Sequence, residues 1–316
     1  MEISSVCLIG GSGFLGRRVA EHLAAEEIFV RVPTRRRERA KRLLPLPTVD
    51  VVNADVNDPR VLGRLIASVD AVINLVGILH PSGRDTFERI HVELPRKIVA
   101  ACREHGVKRL LHVSALRASL DAPSTYLRSK AEGESQIRSA QATGLQTTVF
   151  RPSVIFGPND HFLNLFARLA RLTPVLPLGC PDARFQPIYV EDVARAIALS
   201  LSDARTYAQP FNLCGPRVYT LRDLVEFVCR TLGLHRKVLG LNPSLSMLQA
   251  LLLEHLPGKL MTRDNIYSMR VDNTCGGPFP EVFGFAPTPI EAVVPTYLAG
   301  VTPKTRYYWF RYRARR

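Results

Sequence analysis

The chain has 316 residues, room for about two domains of roughly 150 residues each, and can bury a core without disulfides or a metal. Hydrophobic residues make up 46% and charged residues 22%, which excludes general disorder. Lys and Arg outnumber Asp and Glu by 42 to 28, a net charge of +14, so an anionic partner is expected: a phosphate-bearing cofactor, lipid headgroups or nucleic acid.

Strand and helix patterns alternate from the start. Residues 6–9 (VCLI) read as a strand. A glycine-rich turn follows, then Leu15, Val19 and Leu23 recur at helical spacing. Residues 28–32 read as a second strand, 35–44 as a basic helix, and 49–52 and 71–76 as further strands. Val61, Leu62, Leu65 and Ile66 supply a helix between the last two. Ile98, Ala101 and Cys102 mark the next helix, with Pro95 near its start, where a proline is tolerated. Residues 110–113 form the fifth strand, 124–142 a helix and 147–150 a sixth strand. This alternation of apolar strands and helices predicts α/β architecture: a Rossmann-type doubly wound parallel sheet covered on both faces.

Beyond Phe150 prolines multiply, a helix returns at 191–201, and 211–213 reads as a last strand. The expected organisation is a dinucleotide-binding domain over 1–215, with an excursion near 157–187 toward a smaller substrate domain over 216–303. Helices are expected near 221–232, 245–255 and 290–298, and a basic aromatic tail over 304–316. The apolar run 245–256 (LSMLQALLLEHL) is too short to span a bilayer and reads as a core helix. No secretory signal is read at the N-terminus. Cys7, Cys102, Cys180, Cys214, Cys229 and Cys275 are scattered with no CxxC, and read as reduced, mostly buried thiols of a cytoplasmic protein. No metal is expected, because the histidines lack ligand spacing.

The segment Gly10-Gly11-Ser12-Gly13-Phe14-Leu15-Gly16 joins the first strand to the first helix. Gly10 allows a tight turn, Gly13 a close backbone approach to a pyrophosphate, and Gly16 close packing of helix on strand. The exposed N–H groups and helix dipole favour the anion. At the end of the second strand, Thr34 stands where NAD-preferring folds place an acidic residue, and Arg35 and Arg36 follow. Guanidinium groups pair with a 2′-phosphate, so NADP(H) is favoured, with NAD(H) as the alternative. Asp55 and Val56 border the adenine.

Tyr126 and Lys130, at i and i+4, share one face of a helix. A lysine ammonium and the positive nicotinamide lower a phenol's pKa. Tyr126 is then the acid/base, while Lys130 also holds the nicotinamide ribose. The tail, KTRYYWFRYRARR, mixes six basic residues with five aromatics. It suits an anionic membrane surface or a protein partner, or packing on its own domain. No motif supports nucleic acid. Residues 35–42 carry a net +5 and residues 304–316 a net +6, so eleven of the fourteen excess charges fall in two segments.

GGSGFLG with YLRSK downstream resembles the extended short-chain dehydrogenase/reductases. The resemblance continues through Asn74-Leu75-Val76-Gly77, Arg151-Pro152 and residues 187–194 (PIYVEDVA), and covers the chain except its last ~18 residues. It implies that Leu75, Val76, Gly77 and Pro152 line the cofactor. IHVELP at 90–95, HVSAL at 112–116, DHFLN at 160–164 and residues 257–272 narrow the resemblance to an atypical subgroup. These are the relatives of the accessory NADPH-binding subunit of respiratory complex I, alpha-subcomplex subunit nine. That subgroup implies an NAD(P)(H)-binding reductase-like protein linked to ubiquinone biosynthesis or complex I. It would be cytoplasmic and peripheral on the inner membrane face, with a quinone-related substrate or a respiratory-complex partner. The alternatives are a soluble enzyme acting on a nucleotide-sugar, as epimerase, dehydratase or reductase, and a non-catalytic NADPH-binding scaffold. Two departures stand out. His91 occupies the place of an Asn in extended enzymes. Ser114, which would polarise the substrate oxygen, lies only twelve residues before Tyr126 rather than about two dozen, with Ser124 and Thr125 as other candidates.

Overall fold

The structure, a computed structural model, describes residues 2–255 and 260–299 together with 311 and 314. The tail at 304–316 therefore lies outside the described residues apart from those two positions. The first half runs β1 (Ser5–Ile9), α1 (Phe14–Ala25), β2 (Phe29–Thr34), β3 (Val49–Asn53), α2 (Pro59–Ile66), β4 (Ala71–Asn74), α3 (Leu94–Glu104), β5 (Arg109–Val113), α4 (Thr125–Ser139) and β6 (Gln146–Pro152). The chain continues through β7 (Ile155–Phe156), α5 (Leu163–Leu172), β8 (Val175–Leu178), β9 (Arg184–Phe185), β10 (Ile188–Tyr189), α6 (Val190–Leu199) and β11 (Gln209–Leu213). Last come β12 (Tyr219–Thr220), α7 (Leu221–Thr231), β13 (Lys237–Gly240), α8 (Pro243–Leu253), α9 (Arg263–Ser268) and α10 (Ile290–Leu298).

One compact unit comprises Met1–Pro152, Val190–Leu213 and Gly277–Phe285; the other comprises Ser153–Tyr189, Cys214–Gly276 and Ala286–Arg316. In the first, seven strands pair in parallel in the order β11-β6-β5-β4-β1-β2-β3. The order reverses between β1 and β4, and such a switch point opens a crevice at the carboxyl ends of the strands. Cys7, Ile9 and Val72 pack with Leu62, Ile66, Leu94 and Ile98 in one core. Asp58 caps α2 by accepting from the Arg60 and Val61 N–H groups, and Pro59 starts it. Arg109, on β5, is fully buried. Its guanidinium donates to the Leu201 and Gln146 carbonyls and to Thr148 Oγ1, and stacks on Tyr207 at 4.4 Å. The cation is tolerated there because each donor finds an oxygen.

Three expectations are corrected. The basic segment 35–44 forms no α-helix; it makes one 3-10 turn, Arg37–Ala40, because only Ala40 and Leu43 find the core. The 245–255 helix forms, as α8, but it is not a core helix: it buries Ser246 and Ala250 and turns its leucines outward. The six cysteines are not all thiols. Cys214 and Cys275 form a disulfide with Cα atoms 6.1 Å apart. Gln186 brings the two strands of chain together there: its Oε1 accepts from the Cys275 N–H at 2.8 Å and its amide donates to the Gly215 carbonyl at 2.7 Å. The residues lie 61 apart in sequence, a separation that carries no motif.

The second unit holds its own core of Phe156, Leu163, Ala167, Leu224, Val225, Val228, Ile290 and Val294. Its strands pair as β7–β10 and β8–β13, both parallel, and β9–β12, antiparallel.

Candidate cofactor and reaction site

The glycines of the first turn have distinct jobs. Gly10 sits at φ +89°, and a Cβ there would press on the Leu75 carbonyl carbon at 3.1 Å and the Val76 nitrogen at 3.2 Å. The turn and the loop after β4 thus close on each other, with the Leu75 N–H donating to the Ile9 carbonyl at 2.9 Å. A Cβ on Gly16 would overlap the Gly10 carbonyl oxygen and the Gly11 backbone, so α1 rides on the turn itself. Gly13 is the N-cap and caps no N–H with a side chain. Phe14 and Leu15 open α1, which leaves backbone donors facing an anion. This cradle fits a pyrophosphate.

At the carboxyl end of β2, Thr34 Oγ1 lies 3.4 Å from Ser12 Oγ and accepts from the Arg36 N–H at 3.3 Å. Arg35 is half exposed and donates to both oxygens of Asp85, at 3.1 and 2.8 Å. That bond holds Asp85 below the ordinary carboxylate range. Arg36 is exposed and makes no ion pair with a described residue. Asp55 accepts from Asn57 through its backbone and amide N–H groups; burial works against its charge, but these bonds, with Arg35 and Arg89 nearby, keep its carboxyl low. Val56 is half-buried beside it.

The other end is made of side chains. Ser124 Oγ caps α4 by accepting from the Leu127 N–H at 3.2 Å, and Thr125 Oγ1 accepts from Arg128. Both candidate hydroxyls are therefore engaged in helix structure. Tyr126 and Lys130 follow on α4. Lys130 is buried and donates to the Val113 carbonyl at 2.7 Å, at the last residue of β5. The next residue, Ser114, is buried, and its hydroxyl has no hydrogen-bond partner among the described residues. Gly77 lies opposite: a Cβ there would stand 3.6 Å from Lys130 Nζ and 3.7 Å from His91 Nε2. The fold thus gathers Gly77, His91, Lys130 and the Val113–Ser114 peptide. Pro152 ends β6, where its carbonyl accepts from the Leu116 N–H.

His91 fills its place as a neutral ring. Its Nε2 accepts from the Ile78 N–H at 3.0 Å, so Nδ1 carries the proton and donates to Ser129 Oγ at 2.9 Å. Ser129 donates onward to the Tyr126 carbonyl at 2.8 Å. Burial, and then Lys130, push His91 down to about 3. The ring stacks on Phe87 and meets Tyr126 edge-on at 5.6 Å. The helix around it is distorted. A π-helical turn, Glu88–Glu93, runs into α3, and Pro95 offers no N–H to the His91 carbonyl, which faces Gly133 of α4. His112 is a second neutral histidine, held well below its ordinary value by burial and then by Lys130 and His91; Asn74 donates to its Nδ1 at 3.1 Å.

Burial pushes Tyr126 up to about 12 and pulls Lys130 down to about 8, with Glu134 opposing the latter. Burial alone acts in this direction on the Tyr126 phenol; the nicotinamide charge invoked for lowering it is a separate contribution. Glu134 is itself clasped by the Arg151 guanidinium. At neutral pH the arrangement presents a protonated phenol, an ammonium and a buried hydroxyl, which can donate protons but cannot readily accept one. Sequence reasoning missed Asp85 as the partner of Arg35, and the His91–Ser129–Tyr126 chain. The spacing of His91 from Phe87 is a helical signal for the latter; nothing local announces Asp85.

The NAD dependent epimerase/dehydratase family matches residues 6–214. The Mus musculus protein "NADH dehydrogenase (ubiquinone) 1 alpha subcomplex subunit 9, mitochondrial" is 34% identical over 227 residues, spanning 70% of this chain and 59% of its own length. The Caulobacter vibrioides "Ceramide reductase" is 35% identical over 190 residues, spanning 60% of this chain and 58% of its own. The chain thus covers less than two thirds of the length of either relative. The dTDP-glucose 4,6-dehydratase of Streptomyces venezuelae, solved with NAD bound, matches with a TM-score of 0.65 over 75% of this chain and 85% of that one, at 22% identity, a likeness of fold. With the reversed strand order, the glycine cradle and a family match across 6–214, the chain belongs to the NAD dependent epimerase/dehydratase family, among the relatives of complex I alpha-subcomplex subunit 9.

Proposed function

We propose that this protein binds NADP(H) and serves as a reductase-like component at a membrane face, linked to ubiquinone synthesis or to respiratory complex I. The glycine cradle receives the pyrophosphate. Arg35 and Arg36 face the 2′-phosphate, Asp55 and Val56 the adenine, and Leu75, Val76, Gly77 and Pro152 the nicotinamide half. When bound, NADP(H) supplies hydride chemistry at its nicotinamide. Lys130 holds the ribose and lends positive charge, Ser114 donates to the substrate carbonyl oxygen, and Tyr126 gives it the proton. The observation that carries this reading is the buried Ser114 hydroxyl with no partner among the described residues, one residue beyond the carbonyl that anchors Lys130. A buried hydroxyl left unmatched costs roughly 1–3 kcal/mol, which a substrate oxygen offsets.

The membrane placement rests on the six basic and five aromatic side chains of 304–316 and on the complex I relative. No helix among the described residues is long and apolar enough to cross a membrane; the proposed association is a peripheral one. The test is a deletion strain profiled for quinone intermediates and NADH oxidation. A shifted quinone pool or slowed NADH oxidation is the expected result; both unchanged would refute the quinone link. A second reading, a soluble carbonyl reductase or epimerase, is favoured by the protonated Tyr126 and by the similarity to a ceramide reductase. Turnover of an added carbonyl substrate, lost in Tyr126→Phe with the quinone pool normal, selects it.

A further inference from the structure

Helix α8 is built inside out. Ser246 and Ala250 are its buried side chains, whereas Leu245, Leu248, Leu251 and Leu252 are exposed by 47%, 50%, 38% and 63%. At 3.6 residues per turn these four leucines share one face. Two polar side chains, Ser246 and Gln249, point inward. Ser246 Oγ accepts from the Cys180 N–H at 3.2 Å, and Gln249 donates to the Pro177 carbonyl at 2.9 Å. A Cβ on Gly179 would come within 2.9 Å of Gln249 Oε1, so the helix lies close on this strand end. The leucines are outward because the hydrogen-bonded face fixes the helix rotation.

Exposed apolar side chains also stand on the ribbon that leads into α8. On the outer side of β8–β13, Val175 stands beside Lys237 and Pro177 beside Leu239. Val175 is exposed by 43%, Leu239 by 50%, and Leu172, just before, by 74%. An exposed apolar area of this kind marks an interaction surface. Basic side chains stand on the ribbon and on the helix before it. Arg168, Arg171 and Lys237 are exposed, and across residues 234–255 of the sequence Glu254 is the only acid. Arg263 holds that carboxylate at 2.8 Å.

We propose that α8 and the β8–β13 ribbon form an insertion surface for an anionic phospholipid bilayer, with the leucines among the acyl chains and Lys237, Arg168 and Arg171 at the phosphates. This deepens the peripheral-membrane part of the proposed function and places lipid contact on folded residues, apart from the tail.

The test is vesicle flotation of the full chain with phosphatidylcholine alone and with added phosphatidylglycerol. The wild type floats with the anionic vesicles. Leu248→Ser with Leu252→Ser lowers the bound fraction roughly tenfold, with the melting temperature and NADPH titration unchanged. Lys237→Glu weakens binding to the anionic vesicles. Deletion of 304–316 leaves a leucine-dependent fraction. The proposal falls if the double leucine variant floats like the wild type, or if tail deletion alone abolishes flotation, which leaves the proposed function standing. It also falls if the leucine variant turns a dimer into a monomer by light scattering with flotation unchanged, because the face then belongs to a second copy. A wild type that floats with neither vesicle overturns both this surface and the membrane part of the proposed function.

Discussion

The phosphate cradle and the Tyr126 region occupy the same unit but are specified differently. The cradle is backbone. Gly10, Gly13 and Gly16 sit where a Cβ would strike a carbonyl or another turn, so few sequences satisfy it. The Tyr126 region is a set of side chains that hold one another: His91 on Ser129, Ser129 on the Tyr126 carbonyl, Lys130 on Val113. A side-chain set can exchange members if the hydrogen bonds close again. His91, in the place of an Asn, keeps its acceptor for the Ile78 N–H and its donor for Ser129. Cofactor binding is thus fixed by packing, while the chemistry nearby is free to drift.

The largest expected effect comes from breaking the cradle. Gly16→Val puts a side chain into the Gly10 and Gly11 backbone, so NADPH affinity should fall more than about 100-fold, with a stability loss of roughly 1–3 kcal/mol from overpacking. Fluorescence titration and thermal melts measure both. Binding within tenfold of the wild type would place the cofactor elsewhere. The corresponding cut on the side-chain end is milder for binding. Tyr126→Phe should leave NADPH affinity within about twofold and lower turnover by roughly 10²–10⁴. Lys130→Met should weaken NADPH about tenfold if, as proposed, Lys130 makes a charge-assisted hydrogen bond to the ribose.

His91 sharpens the contrast through pH. Its folded value is about 3 against 6.5 when free, so between these values the unfolded chain binds the extra proton. Stability is therefore full above pH 6.5 and is lost as pH falls toward 3, by about 2 kcal/mol at pH 5 for this group. His91→Asn should flatten the slope of the urea midpoint between pH 7 and 4.5, leaving the share of His112. An unchanged slope would mean that His91 is not held neutral.

What the sequence revealed follows the same division. The alternation of strands, the cradle and the Tyr126–Lys130 pair were legible because each is a local pattern read at a fixed period or spacing. Residues 35–44 misled because a run of arginines resembles a helix face until the core is seen to accept only Ala40 and Leu43. Helix α8 misled for the opposite reason: its leucines suggested burial, and the rotation is set by Ser246 and Gln249, whose partners lie on a strand some seventy residues earlier. The Cys214–Cys275 bond and the Arg35–Asp85 pair are contacts at long sequence separation, which no local pattern encodes.

The smallest effect concerns Arg35, where the two regions' logics meet. Its fork is closed on Asp85 in both arms, so a 2′-phosphate must displace or share that carboxylate. The pair is half exposed, and such pairs contribute about 0–1 kcal/mol, a modest barrier to the exchange. Asp85→Asn should then release the guanidinium and improve NADPH binding by about two- to fivefold, with NADH unaffected, whereas Arg35→Ala should weaken NADPH alone. If Asp85→Asn instead weakens both cofactors equally, Asp85 orders the turn rather than competing for Arg35, and the exposed Arg36 becomes the phosphate ligand.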